Sequence, residues 1–323
     1  MSFEYMHKTV LNTLKQVALT YSSNYSLRYN GSSGGYVSTC VLWLLGNRKI
    51  KSLVSYERRG IEFFPQIIYS QEAYHATGSI YQDIDLINFI KINIDKFASP
   101  VAVTCLPCQA KPIRRLFEKA GLECYIIALV CSAQMSRACT RDYIRVLGLQ
   151  EEDITDFRYR SGGWPGSVKA CVNDGTCLDD SSLWHCFFHS FFYHKKRCLK
   201  CQDTFGVNAD LAVSDPWLGK RMTGEKDGKS IVYLFTDRAE RVHKELVAEG
   251  VVINEEISIS EAISSQEFTM KRKALLGERR LYREFIDVIN SSKVYKDIVI
   301  KSPKLLRLHT KIVTKVLKYG MRN

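Results

Sequence analysis

The chain opens on apolar positions at helical spacing, Val10, Leu14, Val17 and Ala18, which predict an amphipathic first helix within "MSFEYMHKTVLNTLKQVALT". A Gly/Ser turn, "NGSSGG", then runs into a second helical pattern. "KSLVSYERRGIEFFPQIIYS" alternates apolar and polar residues in short bursts and predicts two strands turning at Arg59-Gly60. Beyond a loop, Ile84, Ile87, Ile90, Ile94 and Phe97 line one side of a helix. Two short apolar runs follow, "PVAVTC" and "LECYIIALVC", each leading into a helix, through "AKPIRRLFEKAG" and "MSRACTRDYIRVLG". Strands alternating with helices of about ten residues predict βαβ units and a parallel sheet. From Ile154 to Pro216 the periodicity gives way to Gly, Trp and cysteine. "SIVYLFTD" restores a strand, "AERVHKELVAEG" a helix, and two helical segments separated near Pro303 close the chain. The predicted class is therefore α/β: a mixed, largely parallel sheet with flanking helices, a loop-rich cysteine-bearing insertion and a C-terminal helical tail. One domain is expected over residues 1–265 and a basic helical segment over 266–323.

This pattern gives the cysteines a common location. Cys105 and Cys108 lie at the carboxyl end of one predicted strand and Cys131 at the end of the next. In a right-handed βαβ unit both ends emerge at one sheet edge, where open α/β sheets bind ligands. Cys198 and Cys201, in "YHKKRCLKCQD", have the C-x-x-C spacing that lets one tight turn send two thiolates to the same metal. Two pairs plus Cys131 point to a metal or iron–sulfur site, and ligand chemistry alone leaves zinc and iron–sulfur both open. The neighbouring run His194, Lys195, Lys196, Arg197 and Lys200 is expected to favour the thiolates and offset the charge of a ligated centre.

Composition narrows this further. At 323 residues, 46% hydrophobic and 25% charged, the chain can bury a sizeable core. No apolar stretch approaches the roughly 18 residues that span a bilayer, and the opening has no signal-peptide pattern. A cytoplasmic chain is expected, in which disulfides are disfavoured. Cys40, Cys124, Cys139 and Cys171 stand singly in apolar or helical surroundings and read as small buried hydrophobes. "NGSSGGYVST", Asn30 to Thr39, offers backbone N–H groups at a helix start, where phosphate binds, but is neither G-x-G-x-x-G nor a Walker A sequence.

Taken in order, "GSSGGYVST", "ATGSIYQDID", "VAVTCLPCQAKPIRRL", "YIIALVC", "ITDFRYRSGGWPGS" and "RCLKCQDTFGVNADLAVSDPW" resemble the beta-subunit family of coenzyme F420 hydrogenases and dehydrogenases. The resemblance runs from about Ser26 to Lys244. It implies an oxidoreductase with FAD and a 4Fe-4S cluster. The implied cluster ligands are Cys108, Cys131, Cys198 and Cys201, with Cys105 a neighbour rather than a ligand. The implied flavin-binding residues are Ser32, Ser33, Gly34, Gly35, Thr39, Gly78, Ser79, Tyr81, Thr104 and Pro107. His75, Tyr81 and Asp215 are the candidate proton donors. Relatives commonly carry Lys or Arg at Ile80, His at Ser132, and a Gly-Asp-Phe-Trp run in place of "SDPW". These departures argue against coenzyme F420 as substrate. The ferredoxin spacing C-x₂-C-x₂-C-x₃-C of many relatives is absent from this sequence, so electrons are expected from an external donor, a ferredoxin-like protein or reduced nicotinamide or flavin. The organic acceptor is expected to be a small molecule or lipid-linked sugar, in the setting of polysaccharide biosynthesis. The competing reading is a zinc-stabilised, non-redox binding or scaffold protein on the same fold.

The formal charge of +12 is uneven: Lys301 to Asn323 holds seven Lys or Arg and no Asp or Glu. Lys304, Arg307, Lys311, Lys315 and Lys318 fall on one helical face, with Leu305, Leu308, Ile312 and Val316 beside it. Such a helix suits an anionic membrane surface on the cytoplasmic side or an acidic partner; the alternative is a terminal helix packed on its own domain with a solvated basic side. Nucleic acid is not an expected partner, because no aromatic-lined binding motif accompanies the charge.

Overall fold

The computed structural model describes residues 2–322; Met1 and Asn323, the outermost residues of the two expected segments, lie outside them. The strands are β1 (Gln16–Ser22), β2 (Ser52–Arg59), β3 (Glu62–Ile68), β4 (Val101–Cys105), β5 (Cys124–Leu129), β6 (Ile154–Ser161), β7 (Ser167–Val172), β8 (Cys177–Asp180), β9 (Leu211–Ser214), β10 (Ser230–Leu234) and β11 (Val252–Glu255). Eight of them form one mixed sheet in the order β11-β1-β10-β9-β5-β4-β2-β3. Its centre, β2, β4, β5 and β9, is parallel, and antiparallel strands complete both sides.

The first nine helices are α1 (Phe3–Thr13), α2 (Tyr25–Asn30), α3 (Tyr36–Gly46), α4 (Leu86–Ile92), α5 (Pro107–Lys119), α6 (Ala138–Val146), α7 (Leu183–His189), α8 (Asp237–Ala248) and α9 (Ile259–Ser264), of which α6 and α7 pack with the small second sheet, β6–β8. The apolar runs of β4 and β5 are explained by burial on both faces. Val101, Val103, Cys105, Ile126 and Ala128 pack with Ile113 and Phe117 of α5, while Ala102, Tyr125 and Ile127 pack with Leu44 of α3 and Leu246 of α8. The hairpin β2–β3 turns at the expected place.

Several expectations need correction; among them, the helix expected through Ile84 to Phe97 is only Leu86–Ile92. The first helix stops at Thr13, and Val17 and Ala18 belong to β1, where Ala18 lies opposite Val232. Their helical spacing continues α1 only by coincidence; "VALTY" is rich in residues that suit a pleated surface. The 154–216 region is not mainly loop: β6, β7 and β8 form a separate antiparallel sheet, followed by α7. Phe157, Tyr159, Val168 and Ala170 alternate inward, but "SGGWPG" divides the two strands and hides their period. Finally, Cys171 is not a lone buried hydrophobe; it is disulfide-bonded to Cys177, directly opposite in the β7–β8 hairpin. Cys40, Cys124 and Cys139 are buried as expected.

The chain closes with α10 (Glu267–Glu278), α11 (Arg280–Ser291), α12 (Lys293–Ile300) and α13 (Pro303–Gly320), more helices than the two expected, with a break before Pro303 where it was predicted. Leu275, Ile286, Val299, Leu306, Val313 and Leu317 share one core with Tyr143, Phe157, Trp184 and Phe187. These helices therefore cover the small sheet. No described helix is long and apolar enough to cross a membrane.

Candidate functional site

The parallel strands β4, β5 and β9 end at one edge of the large sheet. Because β10 is antiparallel to β9, and β1 to β10, β1 ends there too. That edge consequently gathers the Ser/Gly loop after β1, Cys108 at the start of α5, Cys131 after β5, and Asp215 after β9. The Ser22 amide donates to the Gly34 carbonyl at 2.8 Å, folding the Ser/Gly loop back against its strand.

Cys108 is the second residue of α5 and is exposed. Cys131 is tied to the loop beyond the C-x-x-C pair, its amide donating to the Thr204 carbonyl at 3.1 Å. Cys198 and Cys201 flank the end of a single 3₁₀ turn, Lys196–Leu199, and the Gln134 amide donates to the Cys198 sulfur at 3.4 Å. The Cys108 thiol hydrogen-bonds Cys201, and both interact electrostatically with Cys131 and Cys198. The four expected ligands thus converge. The hydrogen bond from Cys108, aided by Lys273, lowers the Cys201 thiol to about 6 and raises Cys108. Burial pushes Cys131 up to about 11 and also raises Cys198. Cys105, by contrast, is 3% exposed and packed in the core under α5. Gly206 holds the spacing: with φ +72°, its missing Cβ would stand 2.7 Å from the Ala128 Cβ and 3.0 Å from the Pro107 Cα.

Of the basic run in the sequence, Arg197 acts against burial to lower the Cys198 thiol, but it and Lys195 are shared with a carboxylate. Lys195 and Arg197 pair with Asp83. Arg272 and Lys273 of α10, each 3% exposed, also serve these thiols. Lys273 donates to the Cys201 sulfur at 3.9 Å and to the Asp203 carbonyl. Arg272 donates to Ser132, next to Cys131, and its charge interacts with Cys131 and Cys198. Burial lowers the Arg272 guanidinium to about 10. The sequence signal was weak, since "TMKRKALL" reads as a solvated basic helix; only the packing of α10 shows which of its cations turn inward. His194 is a second surprise, 4% exposed with neither ring nitrogen hydrogen-bonded, and burial with nearby Arg272 keeps it neutral.

The expected flavin residues divide. The Ser32 hydroxyl accepts from the Ser79 amide at 2.7 Å and lies beneath Gly78, so the Ser/Gly and "TGSIY" loops meet. Tyr81 packs edge-on against Tyr159 and Phe188, and its hydroxyl neighbours Ser79 and Arg160. Arg160 is buried; its Nη1 donates to both carboxylate oxygens of Asp215, at 2.9 and 2.8 Å, and its Nε to the Pro165 carbonyl. The Trp164 indole N–H also donates to Asp215, at 3.1 Å. Arg160 Nη2 is buried without a hydrogen-bond partner, an unused donor in this corner. Tyr81 and Asp215 are therefore joined through an arginine that sequence reasoning missed, although it sits within "DFRYRSGGW". Gly35 caps α3 in a left-handed conformation, with no side chain capping that helix start. Other members of the set are committed elsewhere. Ser33 donates to the Lys229 carbonyl, Gly34 abuts the Lys229 backbone, and buried Thr39 donates to Ser22. Thr104 accepts through its carbonyl from Tyr56, and Pro107 packs beside Gly206. His75 stands exposed on the preceding loop, not joined to the Tyr81–Arg160–Asp215 set by any hydrogen bond or ring contact.

Two open clefts lie outside this corner. One of about 640 Å³ opens beside β1, β11 and α9, and one of about 430 Å³ is lined by Tyr193, His194, Lys196 and Arg197, next to the C-x-x-C turn. Among the described residues, no group of three or more His, Cys, Asp or Glu is gathered tightly enough to hold one metal ion.

Residues 99–259 match the family model for the C terminus of the coenzyme F420 hydrogenase/dehydrogenase beta subunit. No curated protein matches the chain. Among solved structures it is similar to a chain of the xenon-derivatised F420-reducing NiFe hydrogenase complex from Methanosarcina barkeri. That match has a TM-score of 0.65 at 15% identity and covers 84% of this chain and 92% of the other, a likeness of fold.

Proposed function

The chain belongs to the coenzyme F420 hydrogenase/dehydrogenase beta-subunit family, and from that premise we propose that it is a flavin- and iron–sulfur-dependent oxidoreductase. It would pass electrons between an external one-electron donor and an organic two-electron acceptor. The observation that carries the reading is the pairing of four convergent cysteines with two buried cations. Charges as deep as Arg272 and Lys273 need compensation, and the groups they face include thiols at Cys131, Cys198 and Cys201. Ligation would hold those thiols as thiolates.

When bound, a 4Fe-4S cluster supplies single-electron transfer and FAD supplies two-electron hydride exchange. The protein's own contribution is positional and electrostatic. Cys108, Cys131, Cys198 and Cys201 would hold the cluster, while Arg272 and Lys273 offset its negative charge. Arg160 Nη2 and the uncapped start of α3 offer donors to the anionic and carbonyl groups of a flavin nucleotide. Tyr81 holds a proton on its phenol, and burial favours that protonated form. Asp215 orients Arg160 rather than serving as an independent acid.

The deciding experiment is the visible spectrum of protein purified without oxygen, with iron, zinc and flavin assayed on the same sample. Flavin together with about four irons per chain supports the proposal. Zinc without flavin would overturn it.

A further inference from the structure

We propose that α11, α12 and α13 form a docking surface for an anionic lipid bilayer, on which the protein lies peripherally. The structure revises the simple picture of a free basic tail. α13 is anchored through Leu306, Val313 and Leu317, so its buried face is already satisfied. A second apolar stripe nevertheless remains outside. Leu308 and Ile312 on α13 are 54% and 52% exposed, Val294 and Ile298 on α12 are 73% and 57%, and Leu281 and Val288 on α11 are 76% and 68%. On each helix the two residues stand four or seven positions apart, and hence on one face. Three successive packed helices each leave such a stripe to solvent.

Charge identifies the occupant. Residues 279–323 hold twelve Lys and Arg against three Asp and Glu, nine of the chain's net +12. A second copy of this chain would set that excess against itself across a two-fold interface. An acidic protein would be a better match for charge, but protein interfaces are depleted in lysine, and Lys304, Lys311, Lys315 and Lys318 supply most of the charge of α13. Lysines beside an exposed apolar stripe suit a bilayer surface, where the stems lie along the acyl boundary and the ammonium groups reach the headgroups. No described helix could cross the membrane, so attachment is interfacial.

The full chain is tested by flotation with phosphatidylcholine vesicles, with and without phosphatidylglycerol, at low and high salt. Binding is expected only to the anionic vesicles and should weaken as salt rises. At about fivefold per lysine, the Lys311→Ala/Lys315→Ala variant should bind about thirtyfold less tightly. Leu308→Ser/Ile312→Ser should weaken binding about tenfold at unchanged charge. All four positions are exposed, so unchanged thermal melting identifies a folded variant. The proposal is overturned if the chain ignores anionic vesicles, binds neutral ones equally, or is indifferent to both variants. A dimer dispersed by the same substitutions would also overturn it and make the surface a self-association face.

Discussion

Two arginines buried at the same sheet edge solve the problem of a hidden charge differently. Arg160 has a carboxylate of its own, Asp215, and keeps one donor unused. Arg272 pairs with no carboxylate among the described residues; it meets Ser132 and the fields of Cys131 and Cys198. The first corner is electrostatically complete as it stands, with an N–H to offer a ligand. The second is complete only when its thiols are ionised. The same residue type thus marks a self-contained site in one place and a site that depends on what it binds in the other.

The sharpest way to separate the corners is Cys201→Ser. Iron bound per chain should be lost almost entirely while flavin is retained, whereas Asp215→Asn should leave iron loading intact. If both variants lose iron equally, the corners are not independent. The next effect is on folding. Asp215→Asn leaves Arg160 buried without its counter-charge and should cost about 3 kcal/mol in urea unfolding, most of it recovered by adding Arg160→Met. A double variant as unstable as the single one would mean that Arg160 matters for packing rather than charge.

Acid acts on several bases in the interior, half-buried His189 and buried His194 as well as His243. His243 is 1% exposed, with Nδ1 bonded to the Tyr36 hydroxyl at 3.0 Å and Nε2 to Asn254 at 3.1 Å. Burial lowers it from 6.5 to about 4. Between those values the unfolded chain binds a proton that the folded chain refuses, so stability falls as pH drops below 6.5. The loss is about 2 kcal/mol at pH 5, and His243→Gln should remove it from a pH series of denaturation curves. An unchanged slope would assign acid sensitivity elsewhere. The smallest effect is expected from Ser32→Ala, which deprives the Ser79 amide of its acceptor. A stability loss of about 1 kcal/mol and weaker flavin retention should accompany it, with iron content unchanged.

The sequence made the cysteine corner readable because its signals are local and periodic. Two fully apolar strands separated by one helix must run parallel, and that alone carries Cys108 and Cys131 to one edge. Cys198 and Cys201 announce themselves by spacing. The buried cations were unreadable for the opposite reason. Lys271, Arg272 and Lys273 are consecutive, yet only the last two are deeply buried, a distinction set by how α10 packs. Arg160 was missed because its strand runs straight into a glycine-rich break that hides its period. β1 was absorbed into the first helix because Val10, Leu14 and Val17 keep helical spacing across the boundary at Thr13.

Gly206 carries one more consequence. Its bare Cα lets the C-x-x-C loop nestle between the end of β5 and the start of α5. Tolerance at this corner should therefore follow ångströms more than chemistry. A Gly206→Ala chain keeps every sulfur, yet its extra methyl works as a shim that levers Cys108 away from Cys201.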